Sequence, residues 1–236
     1  MTTPIELVVL DMAGTTVVDD GVVEQAFQRA AERTGVAARL PWDDALGYVR
    51  KTMGQSKLDV FLHLADGDAV AARQATAAFE AAYAEIVAED GVAEIPGAAD
   101  AIQGLKDAGL AVALTTGFAP VTRQAILDGL GWGGLIDLAL SPVDAGRGRP
   151  APDLVLTALL RTGTSAVQAV AVAGDTVSDV ESGLRAGAGF VAGVLTGAHD
   201  RAALSGVGAH AVLSDVTALR GALAQRELLP AAVVSA

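Results

Sequence analysis

The sequence predicts an α/β fold in which a parallel sheet carries a helical insertion after its first strand. Two observations support this prediction. Short runs of small aliphatic residues are typical of strands buried on both faces: ELVVLD, AVALTT, IDLAL, AVAVAGD, FVAGVL and HAVLSD. Most of these runs alternate with helical patterns, and a repeated strand, helix, strand order indicates a parallel sheet with helices on both faces.

The segment from Asp19 to Glu94 is the exception, because it contains no strand-like run. Four helical patterns occupy it instead: VVEQAFQRAAERTG, WDDALGYVRKTMG, SKLDVFLHLA and DAVAARQATAAFEAAYAEIVAED. A block of helices between the first strand and the rest of an α/β unit indicates an inserted cap domain. We therefore predict an α/β core formed by residues 1–18 and 95–236 and a helical cap formed by residues 19–94.

Two helices of the core have clear boundary signals. One begins after Pro96 in IPGAADAIQGLKDAG and ends before Gly109, since glycine is favoured just beyond the last residue of a helix. Another begins near Pro120. These helices flank the run AVALTT, as a parallel sheet requires.

Charge and composition limit the partners of the chain. Its 236 residues include 28 acidic and 16 basic side chains, and the net charge of -12 argues against a nucleic acid or an anionic membrane as partner. An acidic small-molecule substrate must then be bound by a few cations or by a metal. The chain has no cysteine, and its apolar N-terminal run stops at Asp11 without a preceding basic region. We expect a cytoplasmic protein.

Polar side chains stand at the predicted carboxyl ends of the strands, where function gathers in an open parallel sheet. Singly, each has a structural alternative, such as capping a turn or a helix. Together they form a set of three carboxylates, two hydroxyls and a guanidinium: Asp11, Asp175, Asp179, Thr115, Thr116 and Arg149. Clustered carboxylates repel one another unless a cation lies between them, and oxygen ligands select Mg²⁺. The hydroxyls and the guanidinium would donate to a tetrahedral oxyanion, so the pattern predicts transfer of a phosphoryl-like group.

Four segments, DMAGTT, TTG, GRPAPD and GDTVSD, resemble in this order the motifs of the haloacid dehalogenase superfamily. The resemblance implies that Asp11 is a nucleophile that forms an aspartyl-phosphate. It implies that Mg²⁺ is held by Asp11, the backbone carbonyl of Ala13 and Asp175, with Asp179 supporting the metal. It also implies that Thr115, Thr116 and Arg149 bind the transferred group and that the cap closes over the site to select the substrate.

Ala13 stands where most phosphatases of that superfamily carry a second aspartate as general acid and base. Protonating an alkoxide leaving group is worth ~10² to 10⁴ in rate, and alanine cannot do it. The chain resembles most closely the phosphonatases, or phosphonoacetaldehyde hydrolases, which have alanine in this place. Their carbon leaving group is activated by a cap lysine that forms a Schiff base with the aldehyde, so that the electrons of the P–C bond leave as an enamine.

Lys57 is the candidate for that lysine. The segment RKTMGQSKLD resembles the Met-Gly-x-x-Lys segment of the phosphonatases, with Met53 and Gly54 in register. A nucleophilic lysine must be neutral near pH 7, which needs a dry or cationic environment, and Arg50 and Lys51 would help if they face it. The alternatives are a solvated residue at a helix N-terminus and a cation that binds the acidic part of a substrate.

Val60 and Phe118 depart from the phosphonatase pattern, which has a histidine and a tyrosine at these positions. Three functions therefore stay open: a phosphonatase acting on phosphonoacetaldehyde or a related aldehyde phosphonate, a phosphatase or phosphomutase-like enzyme acting on a small phosphate monoester, and a non-catalytic binder of phosphorylated metabolites. The intact nucleophile and metal-binding strand ends favour an enzyme over a binder.

Several other side chains are predicted to be structural or to lie in an interface. His63, His199 and His210 lack metal-ligand spacing and are expected to be structural. Three phenylalanines of the cap either bury its helix faces or pair two caps in a homodimer, and the resemblance favours the homodimer: Phe27, Phe61 and Phe79.

Overall fold

A computed structural model describes residues 3–230 of the chain, and one parallel sheet forms its centre. The strand order is β3-β2-β1-β4-β5-β6. The bounds are β1 Leu7–Asp11, β2 Ala111–Thr115, β3 Leu138–Leu140, β4 Val170–Gly174, β5 Phe190–Val194 and β6 Ala211–Leu213. Each lies in one of the predicted aliphatic runs, so the α/β class is confirmed.

Four helices follow β1 within residues 19–94 and confirm the helical insertion. They are α1 Val22–Thr34, α2 Trp42–Lys51, α3 Lys57–Leu64 and α4 Ala69–Asp90. Their interior is aromatic: the ring centroid of Phe27 lies 4.8 Å from that of Phe61 and 4.7 Å from that of Phe79. The domain bounds at residues 18/19 and 94/95 stay a prediction.

Helices cover both faces of the sheet. They are α5 Ala98–Asp107, α6 Pro120–Leu130, α7 Pro142–Ala145, α8 Asp153–Thr162, α9 Val177–Ala186, α10 Arg201–Gly206 and α11 Leu219–Gln225. Successive side chains of a strand point to opposite faces, so Val8 and Leu10 of β1 belong to one buried cluster and Leu7 and Val9 to another. The first cluster includes residues of α5, α6 and α11, and the second includes residues of α8, α9 and α10.

Because all six strands are parallel, their carboxyl ends meet at one edge, and the cap is inserted at this edge. Asp11 is paired in register with Thr115 of β2, and β4 lies on the other side of β1. Polar residues that are far apart in the chain are thereby brought together. Within residues 3–230, no helix is long and apolar enough to cross a membrane.

Candidate active site

Three buried carboxylates form a cluster at the carboxyl edge of the sheet. Asp11 ends β1, Asp175 directly follows β4, and Asp179 lies in the first turn of α9. One oxygen from each carboxylate lies within 4.8 Å of the other two. The neighbouring positions of β1 and β4 produce this approach, as expected from the strand ends.

The loops around Asp175 hold its carboxylate in one orientation. Thr15 Oγ1 donates to Asp175 Oδ1 at 3.0 Å, and the backbone amide of Ala198 donates to Asp175 Oδ2 at 2.8 Å. The approach requires glycine at position 14, because a Cβ there would lie 2.6 Å from Asp175 Oδ2 and the residue has φ +82°. Thr15 is not among the site residues predicted from the sequence, although it lies in the segment DMAGTT.

Asp179 is held by the start of α9. Its Oδ2 accepts hydrogen bonds from the backbone amide and the hydroxyl of Thr176, with the amide at 3.0 Å. The Asp179 amide donates in return to Thr176 Oγ1 at 3.2 Å. This is a reciprocal capping box, which directs the remaining oxygen of Asp179 toward other partners.

Arg149 meets the carboxylate cluster. Its Nη1 atom lies 2.6 Å from Asp11 Oδ1 and also contacts the Asp179 carboxylate. The side chain is buried, and its Nε has no hydrogen-bond partner among residues 3–230. A buried donor without an acceptor is costly, so the site is suited to a ligand that brings anionic oxygens.

Thr115, which ends β2, and Thr116, which follows it, are both buried, but their hydroxyls point in different directions. Thr116 borders the same cavity as Asp11, Ala13 and Arg149, and its Oγ1 accepts a hydrogen bond from the Phe118 amide at 3.2 Å. Thr115 directs its hydroxyl back to the carbonyl of Leu10 at 3.5 Å.

The electrostatics of the cluster favour a cation. Burial, together with the charge of Asp11, raises the pKa of Asp175 to about 7. Arg149 offsets part of the negative charge of three carboxylates. This donor set of buried carboxylate oxygens fits a divalent hard cation, and Ala13 borders the same cavity.

Lys57 reaches this cavity from the cap. It is the first residue of α3 and only 5% exposed. Its Nζ atom lies 5.4, 5.5 and 5.3 Å from the ring centroids of Phe27, Phe79 and Phe118. We call these three rings the aromatic cage; two come from cap helices and the third from the loop after β2.

The pKa of Lys57 is lowered from 10.5 to about 8, mainly by burial and in part by the charge of Arg149, while nearby carboxylates, Asp19 foremost, oppose the shift. Arg50 and Lys51 do not face Lys57, so they do not supply the nearby cation. Arg50 forms an ion pair with Glu24 at 2.8 Å on the surface, and Lys51 is exposed. The cation comes instead from the core loop, which sequence proximity could not reveal.

Asp19 is a cavity residue that the sequence analysis did not identify. It is half-buried between β1 and α1, and its Oδ1 accepts a hydrogen bond from the Val23 amide at 3.0 Å. Burial raises its pKa to about 6, while the Val23 hydrogen bond opposes the rise. Its position in the connection from core to cap was the only signal available in the sequence.

The cap loop before Lys57 packs tightly on the core. A Cβ at Gly54 would lie 2.5 Å from Thr176 Oγ1, and a Cβ at Gly148 would lie 2.8 Å from Ser56 Cβ. At another point of the interface, Glu80 of α4 accepts a hydrogen bond from the Ala119 amide at 3.1 Å. Through these contacts the cap packs against the sheet edge.

The histidines have structural surroundings. The Nδ1 atoms of His199 and His210 accept hydrogen bonds from the amides of Val177 and Val191 at 2.9 and 3.1 Å, and His63 stacks on a tyrosine.

The three cap phenylalanines Phe27, Phe61 and Phe79 are buried inside this chain, so they do not offer a surface to a second copy. A homodimer through the cap stays a prediction and would use other residues.

The chain belongs to the haloacid dehalogenase-like hydrolases, since the family model described as "haloacid dehalogenase-like hydrolase" matches residues 5–187. The fold and the buried aspartate cluster agree with this class. Within it, the chain is similar to the phosphonoacetaldehyde hydrolase of Bordetella pertussis, with 31% identity over 211 residues that span 82% of this chain and 74% of that protein.

Two solved structures share the fold. A phosphonoacetaldehyde hydrolase-like protein from Oleispira antarctica has a TM-score of 0.79 at 23% identity, covering 96% of this chain and 95% of that one. A predicted phosphatase from Clostridium acetobutylicum has a TM-score of 0.78 at 17% identity, covering 94% of this chain and 100% of that one. The fold alone therefore does not distinguish C–P from P–O chemistry.

Proposed function

We propose that this chain is a magnesium-dependent phosphonatase that cleaves the C–P bond of phosphonoacetaldehyde or a related aldehyde phosphonate. The observation that carries the proposal is that Lys57, from the cap, borders the same cavity as Asp11, from the sheet. A pKa of about 8 leaves a usable fraction of neutral amine near neutral pH. Similarity to the Bordetella pertussis enzyme supports the same chemistry.

The proposed magnesium ligands are Asp11, the backbone carbonyl of Ala13 and Asp175, with Asp179 supporting them. The cluster of buried carboxylate oxygens supports this assignment. Bound Mg²⁺ would offset the negative charge of the carboxylates and of the phosphonate oxygens.

Arg149 and the two threonines are the proposed groups that bind the phosphonate. The unpartnered Nε of Arg149 provides a buried donor for an anionic oxygen. Thr116 borders the cavity. Thr115 is directed to a backbone carbonyl, so its contribution would require rotation of its hydroxyl.

Lys57 acts first in the proposed reaction. Its neutral amine adds to the aldehyde carbon, and loss of water gives a protonated imine. Asp11 then attacks phosphorus, the P–C bond breaks, and its electron pair moves into the imine to leave an enamine on Lys57. Protonation and hydrolysis of the enamine release acetaldehyde, while water converts the aspartyl-phosphate to phosphate. No proton donor is needed beside the leaving carbon, which agrees with Ala13.

Reductive trapping tests the proposal. With phosphonoacetaldehyde and borohydride, we expect a covalent adduct on Lys57, located by peptide mass spectrometry, together with loss of phosphate release. Lys57→Met should abolish both the adduct and turnover. Lys51, the exposed lysine of the same segment, is the control and should stay unmodified. The absence of any adduct on Lys57 would refute the Schiff-base route.

The alternative is hydrolysis of a small phosphate monoester, or a phosphomutase-like reaction. Val60 and Phe118 favour it, because both are apolar residues at positions where the phosphonatases have a histidine and a tyrosine. In this case Lys57 would bind an anionic substrate. Turnover of sugar phosphates that Lys57→Met weakens, with no borohydride adduct on Lys57, would support the alternative, whereas robust turnover that survives Lys57→Met would weigh against it.

A further inference from the structure

We infer that Asp19 is the proton-transfer residue of this site, acting on the adduct that forms at Lys57. This inference rests on the proposed function and deepens it. It assigns a catalytic role to a carboxylate that neither the motifs nor the carboxylate cluster includes.

Elimination among the cavity residues leads to Asp19. The ionisable side chains that border the cavity in residues 3–230 are Asp11, Asp19, Lys57, Arg149 and Asp175. Two of the carboxylates belong to the nucleophile and metal site, the arginine stays protonated, and the lysine is the amine that reacts. Asp19 is the remaining group that can both donate and accept a proton.

The geometry holds Asp19 at the cavity wall. The Val23 amide donates to Oδ1 at 3.0 Å, and in the part of the chain that the structure describes this is the one protein hydrogen bond to the carboxylate. The residue stands where the chain leaves the core for the cap, and the cavity that it borders also contains Lys57. Its second oxygen is therefore available to a substrate or a water in that cavity.

The titratable groups that face Asp19 come from four elements. Lys57 of α3 favours its charged form, whereas Asp11 of β1 and Glu24 of α1 disfavour it. Tyr83 of α4 is close enough that the Asp19 charge, after burial, raises the pKa of its phenol. With burial as the main cause, the pKa of Asp19 is raised to about 6, so that both protonation states are accessible near neutral pH.

Asp19 gives one proton during imine formation and recovers one during imine hydrolysis. The Lys57 amine and the aldehyde form a carbinolamine, whose C–O bond breaks while the Asp19 carboxylic acid gives its proton to the leaving hydroxyl. The products are the protonated imine, one water and the Asp19 carboxylate. After the P–C bond breaks, the enamine carbon takes up one proton from solvent to give a protonated imine, and water adds to the imine carbon. The Asp19 carboxylate accepts a proton from that water, which regenerates the acid, and the resulting carbinolamine breaks its C–N bond to release acetaldehyde and the neutral Lys57 amine.

A purely structural role for Asp19 makes a different prediction. If the carboxylate only accepts the Val23 hydrogen bond at the start of α1, Asp19→Asn should be nearly neutral, since an amide oxygen accepts the same bond. Asp20 is the matched control, because it is the next residue, carries the same charge and is exposed.

The experiment measures the rate of borohydride-trapped adduct formation on Lys57 with phosphonoacetaldehyde between pH 5 and 9. Asp19→Asn should slow the rate by about 10²-fold and remove the ionisation near pH 6. Asp19→Glu should restore part of the rate, and Asp20→Asn should leave it unchanged. Thermal unfolding of each variant checks that it folds.

The outcomes separate this inference from the proposed function. If the unsubstituted protein forms no adduct, the proposed function fails and the inference fails with it. If the unsubstituted protein forms the adduct and Asp19→Asn forms it equally fast with the same pH profile, only the role of Asp19 is overturned. If Asp19→Asn and Asp19→Glu form the adduct equally slowly, proton transfer by Asp19 is also contradicted, because restoring a carboxylate then restores no rate.

Discussion

The Nζ atom of Lys57 lies 5.3 Å from the ring centroid of Phe118, so a cation of the cap rests against an aromatic ring of the core. Two further rings, Phe27 and Phe79, complete the aromatic cage. The cage excludes water, which disfavours the ammonium, but its ring faces attract the same ammonium. The lysine is therefore kept buried at a pKa of about 8 and can lose its proton to react.

Replacing Lys57 with methionine should stabilise the protein at pH 7. Because the pKa of Lys57 falls from 10.5 to about 8 on folding, the unfolded chain binds more protons between these values, and stability rises with pH there. Below pH 8 the folded protein buries a charged ammonium, and the full cost lowers its free energy of unfolding. Lys57→Met removes this cost and should raise the free energy of unfolding by up to about 3 kcal/mol. Urea unfolding should show that the gain is smaller at pH 10 than at pH 7. Lys51→Met, at an exposed lysine, is the control. A variant that is less stable at pH 7 would contradict the prediction.

Removing one ring of the cage should change the reactivity of Lys57 in a defined direction. Phe118→Leu keeps the site apolar but removes a cation–π contact worth about 1 kcal/mol. The ammonium is then less stable, so the pKa of Lys57 falls further and trapping becomes faster at pH 6–7. Phe118→Tyr keeps the ring and should change the pKa little. The pH dependence of reductive trapping measures both, and a raised pKa in Phe118→Leu would mean that water entry dominates.

The close approach at Gly54 should matter for catalysis more than for folding. A Cβ at this position, which has φ +81°, would lie 2.5 Å from Thr176 Oγ1. Gly54→Ala should therefore displace the cap loop that carries Lys57 and lower kcat/KM by about 10²-fold.

Gly35 provides the matched control for this substitution. It has φ +68° and nothing within 4 Å of its Cβ position, so Gly35→Ala should cost about 1 kcal/mol of stability and leave kcat/KM unchanged. Equal kinetic losses in the two variants would argue against the cap contact.

Magnesium should stabilise the folded chain through the carboxylate cluster. At a hundredfold excess over its Kd, Mg²⁺ should raise the free energy of unfolding by about 2.7 kcal/mol, because it binds the folded state only. Asp175→Asn should lose this dependence, and EDTA should reverse it in the unsubstituted protein. Thermal unfolding with NaCl at matched ionic strength is the control. If Mg²⁺ raised the Tm of Asp175→Asn as much as that of the unsubstituted protein, the ion would bind elsewhere.

Local patterns were enough to predict the strands and the aspartates at their ends. A run such as LVVLD is buried on both faces, and its last residue lies at the carboxyl edge in any parallel sheet. For this reason Asp11 and Asp175 could be assigned to one cluster although they are far apart in sequence. The direction of the Thr115 hydroxyl depends on its rotamer at the end of β2, and the contact between Arg149 and Asp179 depends on loop conformation. No periodicity encodes either of them.

At Lys57, some properties follow from the sequence and others from the tertiary structure. Its residue type and its place at the start of a cap helix follow from the sequence, as do the α/β class, the helical insertion and the absence of an aspartate at position 13. Other properties of the site depend on how the cap packs on the loops after β1 and β2. They are the exclusion of water from the Lys57 amine, the identity of the neighbouring cation and the presence of Asp19 beside the cavity. A pKa is set by the solvent and charges around a group in space, and here residues distant in the chain supply both.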